Sequence, residues 1–248
     1  MDKKISVVML TKNSSVYLEQ VLNALKLFDE VIILDNGSSD NTVEIAQTYK
    51  NVRVHEHEFI GFGPMKQLAV SFARNDWILS IDSDEVLEEE LIDEITSLPL
   101  NENNVYAIKR DNYYAGRLIR CCGWENDYVR RLFNREKVQF DSKQVHESLI
   151  LNGIEVQKLR YPMKHYSFNN AEELISKMQH YSTLYAQENQ KKKKSSTFKA
   201  FSRALFSFIK NYIFQKGFLY GYEGLLISVS NANGVFYKYI KLLEKNRK

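Results

Sequence analysis

Apolar positions in the first hundred residues fall into short continuous runs, each followed by a helical pattern. Ile5–Leu10 (Ile-Ser-Val-Val-Met-Leu) reads as a buried strand, and Val16, Leu18, Val21, Leu22 and Leu25 then recur at helical spacing, with Ser14 or Ser15 as the N-cap. A second strand, Glu30–Leu34, precedes a helix over Val43–Tyr49. A third, Val52–Val54, precedes a helix opened by Pro64 and carrying Met65, Leu68, Ala69 and Phe72. The fourth apolar run lies in Asp76–Glu85 and is followed by a helix over Glu88–Leu98. This repeated alternation predicts an α/β fold, a mostly parallel sheet with helices on both faces. In such sheets ligands bind beyond the carboxyl ends of the strands.

Later in the chain the pattern changes. Val105–Lys109 reads as a strand, Asp111–Arg117 as a loop, Tyr128–Phe133 as a strand and Leu159–Met163 as another. Ala171–Gln190 reads as a helix. Phe198, Phe201, Leu205, Phe208 and Tyr212 then form one apolar helical seam, with Lys199, Arg203 and Lys210 on the opposite side. Phe218–Leu243 is apolar but interrupted by Glu223, Ser228, Ser230, Asn231, Asn233 and Lys238, which predicts a packed or partner-binding helix and not a membrane span. Two domains are expected, one over residues 1–168 and a helical basic extension over 169–248.

Charge reinforces that division. The formal net charge is +3, yet residues 1–188 carry 21 Lys and Arg against 29 Asp and Glu, and residues 189–248 carry 13 against 2. A basic amphipathic helix beside Lys191–Lys194 fits an anionic membrane surface. The alternative is a core-packing helix with a solvated basic face. No nucleic-acid-binding motif accompanies the basic tail, so nucleic acid is not an expected partner. Cys121 and Cys122 are adjacent, which suits reduced thiols better than a structural disulfide. The opening Met1–Ile5 runs into a strand with no secretory pattern, so a cytoplasmic location, peripheral at the inner face of the cytoplasmic membrane, is expected.

Candidate chemistry gathers at the predicted strand ends. Asp82 and Asp84 are spaced i, i+2, and an extended backbone would point both to one side, where they repel unless a cation lies between them. Such hard oxygen ligands suit Mn²⁺ or Mg²⁺ shared with substrate phosphates. The plain alternative is a strand end before an acidic helix start, since Glu88–Glu90 follow. Thr11–Asn13, Asp35–Ser38 and Asp82–Asp84 nevertheless end three separate strands, and their convergence on one rim argues for a site. Asp35-Asn36-Gly37 also reads as a tight turn, and Asp40 or Thr42 as a helix cap. Neither G-x-G-x-x-G nor a Walker lysine motif is present, so the common dinucleotide and triphosphate cradles are not supported.

The segments Val7–Asn13, Val31–Thr42 and Ile81–Glu85 resemble, in order and spacing, the family-2 inverting glycosyltransferases of the GT-A fold. Gly61–Gln67, Arg131–Phe133, Val145–Glu147 and His165–Ser167 resemble the branch that adds a sugar, often glucose, to the inner core of lipopolysaccharide or lipooligosaccharide. The resemblance implies that Thr11, Asn13 and Asp35 hold the nucleoside, with Asp35 facing the base. It implies that Lys66 approaches the nucleotide, that Asp82 lies near ribose and metal with Ser83 beside it at the nucleotide, and that Asp84 ligates Mn²⁺ or Mg²⁺ on the diphosphate. Asn36 stands where the family often has a second Asp, and Lys66-Gln67 where Arg-Asn or Lys-Asn is common. Both departures bear on base or sugar preference.

An inverting transfer needs a carboxylate to take the acceptor proton. Glu147, following His146 at an expected strand start, is the first candidate and Asp127 the second; a salt-bridging or edge-strand role is the alternative for Glu147. His165 completes the candidate metal shell, or serves as a structural hydrogen-bonder. Trp124 suits sugar stacking or core packing equally. Of Arg130 and Arg131, alternating on a strand, only one should face the site, and His55 and His57 are expected at the surface. The function expected is transfer of one hexose, from UDP-glucose, to a saccharide or glycolipid acceptor. A metal-dependent nucleotidyltransferase and a non-catalytic membrane-surface adaptor are the alternatives.

Overall fold

The computed structural model describes residues 4–142 and 148–247. The elements in chain order begin with β1 (Ile5–Thr11), α1 (Ser15–Ala24), β2 (Glu30–Asp35), α2 (Thr42–Gln47), β3 (Val52–Glu56), α3 (Phe62–Ser71), β4 (Trp77–Ser80), β5 (Glu85–Val86) and α4 (Glu89–Ser97). There follow β6 (Asn104–Tyr114), β7 (Arg117–Leu118), β8 (Tyr128–Asn134), β9 (Glu155–Lys158) and β10 (Met163–Phe168). The chain then continues through α5 (Ala171–Asn189), α6 (Thr197–Ile209), a π-helical turn (Lys210–Phe214), a 3₁₀ turn (Gly217–Tyr220) and α7 (Gly221–Arg247).

Strand order among the described residues is β3-β2-β1-β4-β8-β6-β10-β5, with β7 and β9 pairing additionally with β6. The alternation read from the sequence is present: β1, β2, β3 and β4 are mutually parallel. From β8 onward the pairing is mixed, because β8 runs antiparallel to both β4 and β6, whereas β9 runs parallel to β6. The residues of β2 and β4 are buried throughout, as continuous apolar runs in a doubly covered sheet should be.

Two compact units are resolved, and they do not follow a single cut at residue 168. The first comprises Met1–Arg110 and Tyr128–His165, and the second comprises Asp111–Asp127 and Tyr166–Lys248. In the first unit Val8, Ile32, Leu34, Met65, Ile78 and Phe133 share one core. In the second, Tyr114, Ile119, Cys121 and Cys122 pack with Leu174 and Ile227, so the 111–127 segment shares its core with α5 and α7.

Two element expectations are corrected. Asp111–Tyr114 continues strand β6, and the turn is confined to Ala115 and Gly116, both at positive φ. The polar residues that suggested a loop are satisfied in place: Asn112 is buried and donates to the Trp124 carbonyl and the Asp127 carboxylate. The strand expected at Leu159–Met163 instead lies at Met163–Phe168, where β10 pairs with the two-residue β5.

Candidate active site

The site is built in the first unit, where β1, β2 and β4 end side by side. Hydrogen bonds tie their loops together. The Asn36 amide donates to the Thr11 carbonyl at 3.0 Å, the Asn13 amide to Ser38 Oγ at 2.8 Å, and the Ser39 amide to Asn13 Oδ1 at 2.7 Å. Asn13 holds this position at φ 49°, a left-handed conformation that Asn tolerates better than most residues. From the β4 loop, Ser83 Oγ lies 2.9 Å from Ser14 Oγ. The three polar clusters predicted to converge are therefore in contact.

Asp35 ends β2 fully buried, and both its carboxylate oxygens accept from the Ser38 amide, at 3.0 and 3.1 Å. It thereby folds the Asn36-Gly37 turn, with Gly37 at φ 80°. Thr11 is also buried, and among the described residues its Oγ1 has no hydrogen-bond partner. A buried hydroxyl without a partner costs about 1–3 kcal/mol, so this oxygen is suited to a ligand or water at the rim. Asp40 serves as a brace. It accepts from Thr42 Oγ1 at 2.5 Å and from the Thr42 and Ser15 amides, and these bonds, the Thr42 hydroxyl foremost, lower its pKa to about 2.

The Asp82–Glu85 segment departs from expectation. Strand β4 stops at Ser80, and a turn follows in which the Glu85 amide donates to the Asp82 carbonyl at 3.0 Å. The extended geometry that would have aligned Asp82 and Asp84 is lost, and the two carboxylates go to different partners. Asp82 pairs with Lys66 Nζ at 3.1 Å and with the Arg131 guanidinium. Lys66 is buried on α3, which is preceded by Gly61 at φ 107°. Burial works to raise the pKa of Asp82, but the charges of Arg131 and Lys66 outweigh it and hold the carboxyl well below the usual range. Lys66 and Arg131 thus neutralise Asp82 from within the protein.

Arg131 also bonds Glu85 Oε1 at 2.5 Å, and Arg110 lies 3.4 Å from the same oxygen. The other oxygen, Glu85 Oε2, accepts from the Asp82 amide at 3.0 Å. Glu85 is fully buried and is the internal strut of this turn, a role that sequence reasoning missed because a third acid after Asp82 and Asp84 carries no sign of burial in the sequence. Arg131 is buried while Arg130 is exposed, as strand alternation predicts.

Asp84 faces another way. Pairing of β5 with β10 sets His165 opposite Glu85 in register, and His165 Nε2 lies 3.5 Å from Asp84 Oδ2. Of the expected metal set Asp82, Asp84 and His165, the structure brings together the last two. No cluster of three or more His, Cys, Asp or Glu side chains arranged for a metal occurs among the described residues. The donor chemistry of the pair, one carboxylate oxygen and one imidazole nitrogen, suits Mn²⁺ better than the oxygen-seeking Mg²⁺, with remaining ligands from a diphosphate and water.

Of the candidate bases, Glu147 lies outside the described residues, as does His146. Asp127 belongs to the second unit and accepts from Asn112 Nδ2 at 3.0 Å, while Asn112 Oδ1 accepts from Ser167 Oγ at 3.1 Å. Trp124 packs on the core of that unit, with its ring centroid 6.0 Å from that of Phe168. His57 is exposed as expected, but His55 is half-buried and stacks on Phe72 at 4.0 Å.

Comparison with known proteins agrees with this geometry. The family model described as Glycosyl transferase family 2 matches residues 6–147. An uncharacterised glycosyltransferase of Rickettsia prowazekii is 31% identical over 260 residues, covering 99% of this chain and 89% of its own length. The lipopolysaccharide core biosynthesis glycosyltransferase LpsC of Rhizobium meliloti is 25% identical over 247 residues, covering 94% and 90% of the two chains. The crystal structure of Staphylococcus aureus TarS 1–349 in complex with UDP superposes with a TM-score of 0.50 at 15% identity, covering 98% of this chain and 89% of that one. The chain belongs to glycosyl transferase family 2. Its fold is the α/β GT-A fold with a helical C-terminal extension.

Proposed function

We propose that this protein transfers a single hexose, glucose in the first instance, from a UDP-sugar to a saccharide acceptor with inversion at the sugar carbon. The lipopolysaccharide or lipooligosaccharide inner core is the acceptor class. The observation that carries the reading is the hydrogen-bonded junction of the Thr11–Asn13, Asp35–Ser39 and Asp82–Asp84 loops at the carboxyl rim of a family 2 sheet. Relatedness to a lipopolysaccharide core glycosyltransferase supports the acceptor class, and the UDP complex of a GT-A neighbour supports the donor class.

In this reading Asp35 and Asn13 meet the nucleoside, and the unpartnered Thr11 hydroxyl bonds it directly. Lys66 and Arg131, already aimed at Asp82, place positive charge beside the departing diphosphate, where charge develops in the transition state. Asp84 and His165 would hold Mn²⁺ or Mg²⁺, which supplies Lewis-acid stabilisation of the leaving group. Glu147 takes the acceptor hydroxyl proton, with Asp127 the second candidate.

A panel of nucleotide sugars tested for thermal stabilisation and hydrolysis with and without Mn²⁺ checks the assignment. A UDP-hexose should stabilise the protein only with metal, and Asp84→Ala should lose that effect. Release of UDP identifies a glycosyltransferase, whereas release of pyrophosphate would replace this reading by nucleotidyl transfer. Glu147→Gln should retain donor binding and lose transfer by about 10²–10⁴-fold. Turnover at the parent rate would exclude Glu147 as the base.

A further inference from the structure

Among the described residues, eleven of the twenty-one exposed large apolar side chains lie between Phe198 and Val229, so the uncovered apolar surface is concentrated in one segment of the second unit. Phe198, Phe201, Phe206, Phe214, Leu219 and Tyr222 are its most open members, with Phe198 79% and Phe214 74% exposed. Core packing would have turned the aromatic seam of α6 inward. Instead α6 packs along α7 through its small-residue side, burying Ala200 completely. Phe208 and Tyr212 are half-buried and stacked, with centroids 5.4 Å apart.

The surroundings of this face are cationic. From Asn189 to Lys216 there are eight Lys and Arg and no Asp or Glu. At about 100° per residue, the exposed Arg203 and Lys210 fall on the flank of α6 between its outward apolar side and the side turned to α7, whereas Lys199 Nζ is held by the Lys194 carbonyl at 3.0 Å. Long basic side chains in that position extend past an apolar face to reach charged groups above it. A second copy of the chain fits poorly, because a self-complementary contact would bring these cations against their own duplicates. No helix among the described residues is long and apolar enough to cross a membrane.

We propose that this face docks in the plane of an anionic phospholipid bilayer. The exposed side chains of Phe198–Tyr222 enter the acyl boundary, and the surrounding Lys and Arg meet lipid phosphates. The inference is independent of the donor and the chemistry proposed above.

Co-sedimentation of the full chain with vesicles of phosphatidylcholine alone, or of two parts phosphatidylcholine to one part phosphatidylglycerol, tests it. Binding should require phosphatidylglycerol and weaken as salt is raised. Lys192→Gln with Lys194→Gln should weaken it about fivefold per charge, and Phe201→Ser with Phe214→Ser about tenfold or more per ring. The Phe214→Trp variant should shift its emission to the blue on anionic vesicles and be quenched by brominated lipid. Asp84→Ala should bind vesicles like the parent protein, so loss of transfer and loss of docking are separate results. Equal binding to neutral vesicles, or binding indifferent to the Phe201 and Phe214 changes, would overturn the proposal. A dimer in solution abolished by those same changes, with no vesicle binding, would assign the face to a second copy and also overturn it.

Discussion

Arg131 illustrates how one residue organises the rim at the carboxyl ends of the strands. Its guanidinium spans two carboxylates, Asp82 at the rim and Glu85 inside, and Glu85 in turn holds the Asp82 amide. Removing one member of a buried ion pair leaves the other charged and unpaired, at a cost of about 3–5 kcal/mol. Arg131→Ala should therefore lower unfolding stability in urea by about that amount, with Arg110, 3.4 Å from Glu85 Oε1, softening the loss. Arg131→Lys keeps the charge but not the fork geometry, so it should recover part of the stability and little of the donor affinity. These roles were only partly legible beforehand. The spacing of Asp82 and Asp84 drew attention to this segment, but it implied a shared side that the turn after Ser80 does not provide. Nothing in the residues around Glu85 distinguished a buried strut from the solvated acids that follow it.

Among the elements, those with one dominant period were read correctly. β1, β2 and β4 are apolar runs buried in a parallel sheet, and α4 and α6 show clean helical stripes. β10 was misplaced because Lys164, His165 and Ser167 interrupt any apolar run over Met163–Phe168, and two of these are held by tertiary partners, Glu88 and Asp84. The starts of α1 and α2 depend on Asp40, which bonds the Ser15 and Thr42 amides together. Its folded pKa of about 2 lies below the ordinary 3.8, so its contribution to stability is complete above about pH 4 and is lost as pH falls through about 2. Unfolding midpoints of the parent and of Asp40→Asn should accordingly differ near neutrality and converge near pH 2. In the second unit a Cβ on Gly224 would stand 1.9 Å from the Gly217 carbonyl oxygen, a backbone atom that cannot yield cheaply. Gly224→Ala should lower the thermal midpoint, at a cost of about 1–3 kcal/mol or more.

At the level of the whole molecule, the chain's two charge regimes were visible in its composition, but the boundaries of its units were not. A residue-by-residue pattern cannot announce that Asp111–Asp127 shares a core with helices beginning at Ala171, since that depends on contacts across a long stretch of chain. Two thiols lie in that core. Cys121 and Cys122 are buried, Cys122 Sγ lies 3.3 Å from Ser228 Oγ, and burial pushes the Cys121 thiol far above its usual pKa. Sealed in that core, they should ignore alkylating reagents while the helices stay closed and react once those helices part. The protein thus carries its own clock for the opening of its second unit, readable by mass spectrometry as the rate at which these two thiols become alkylated.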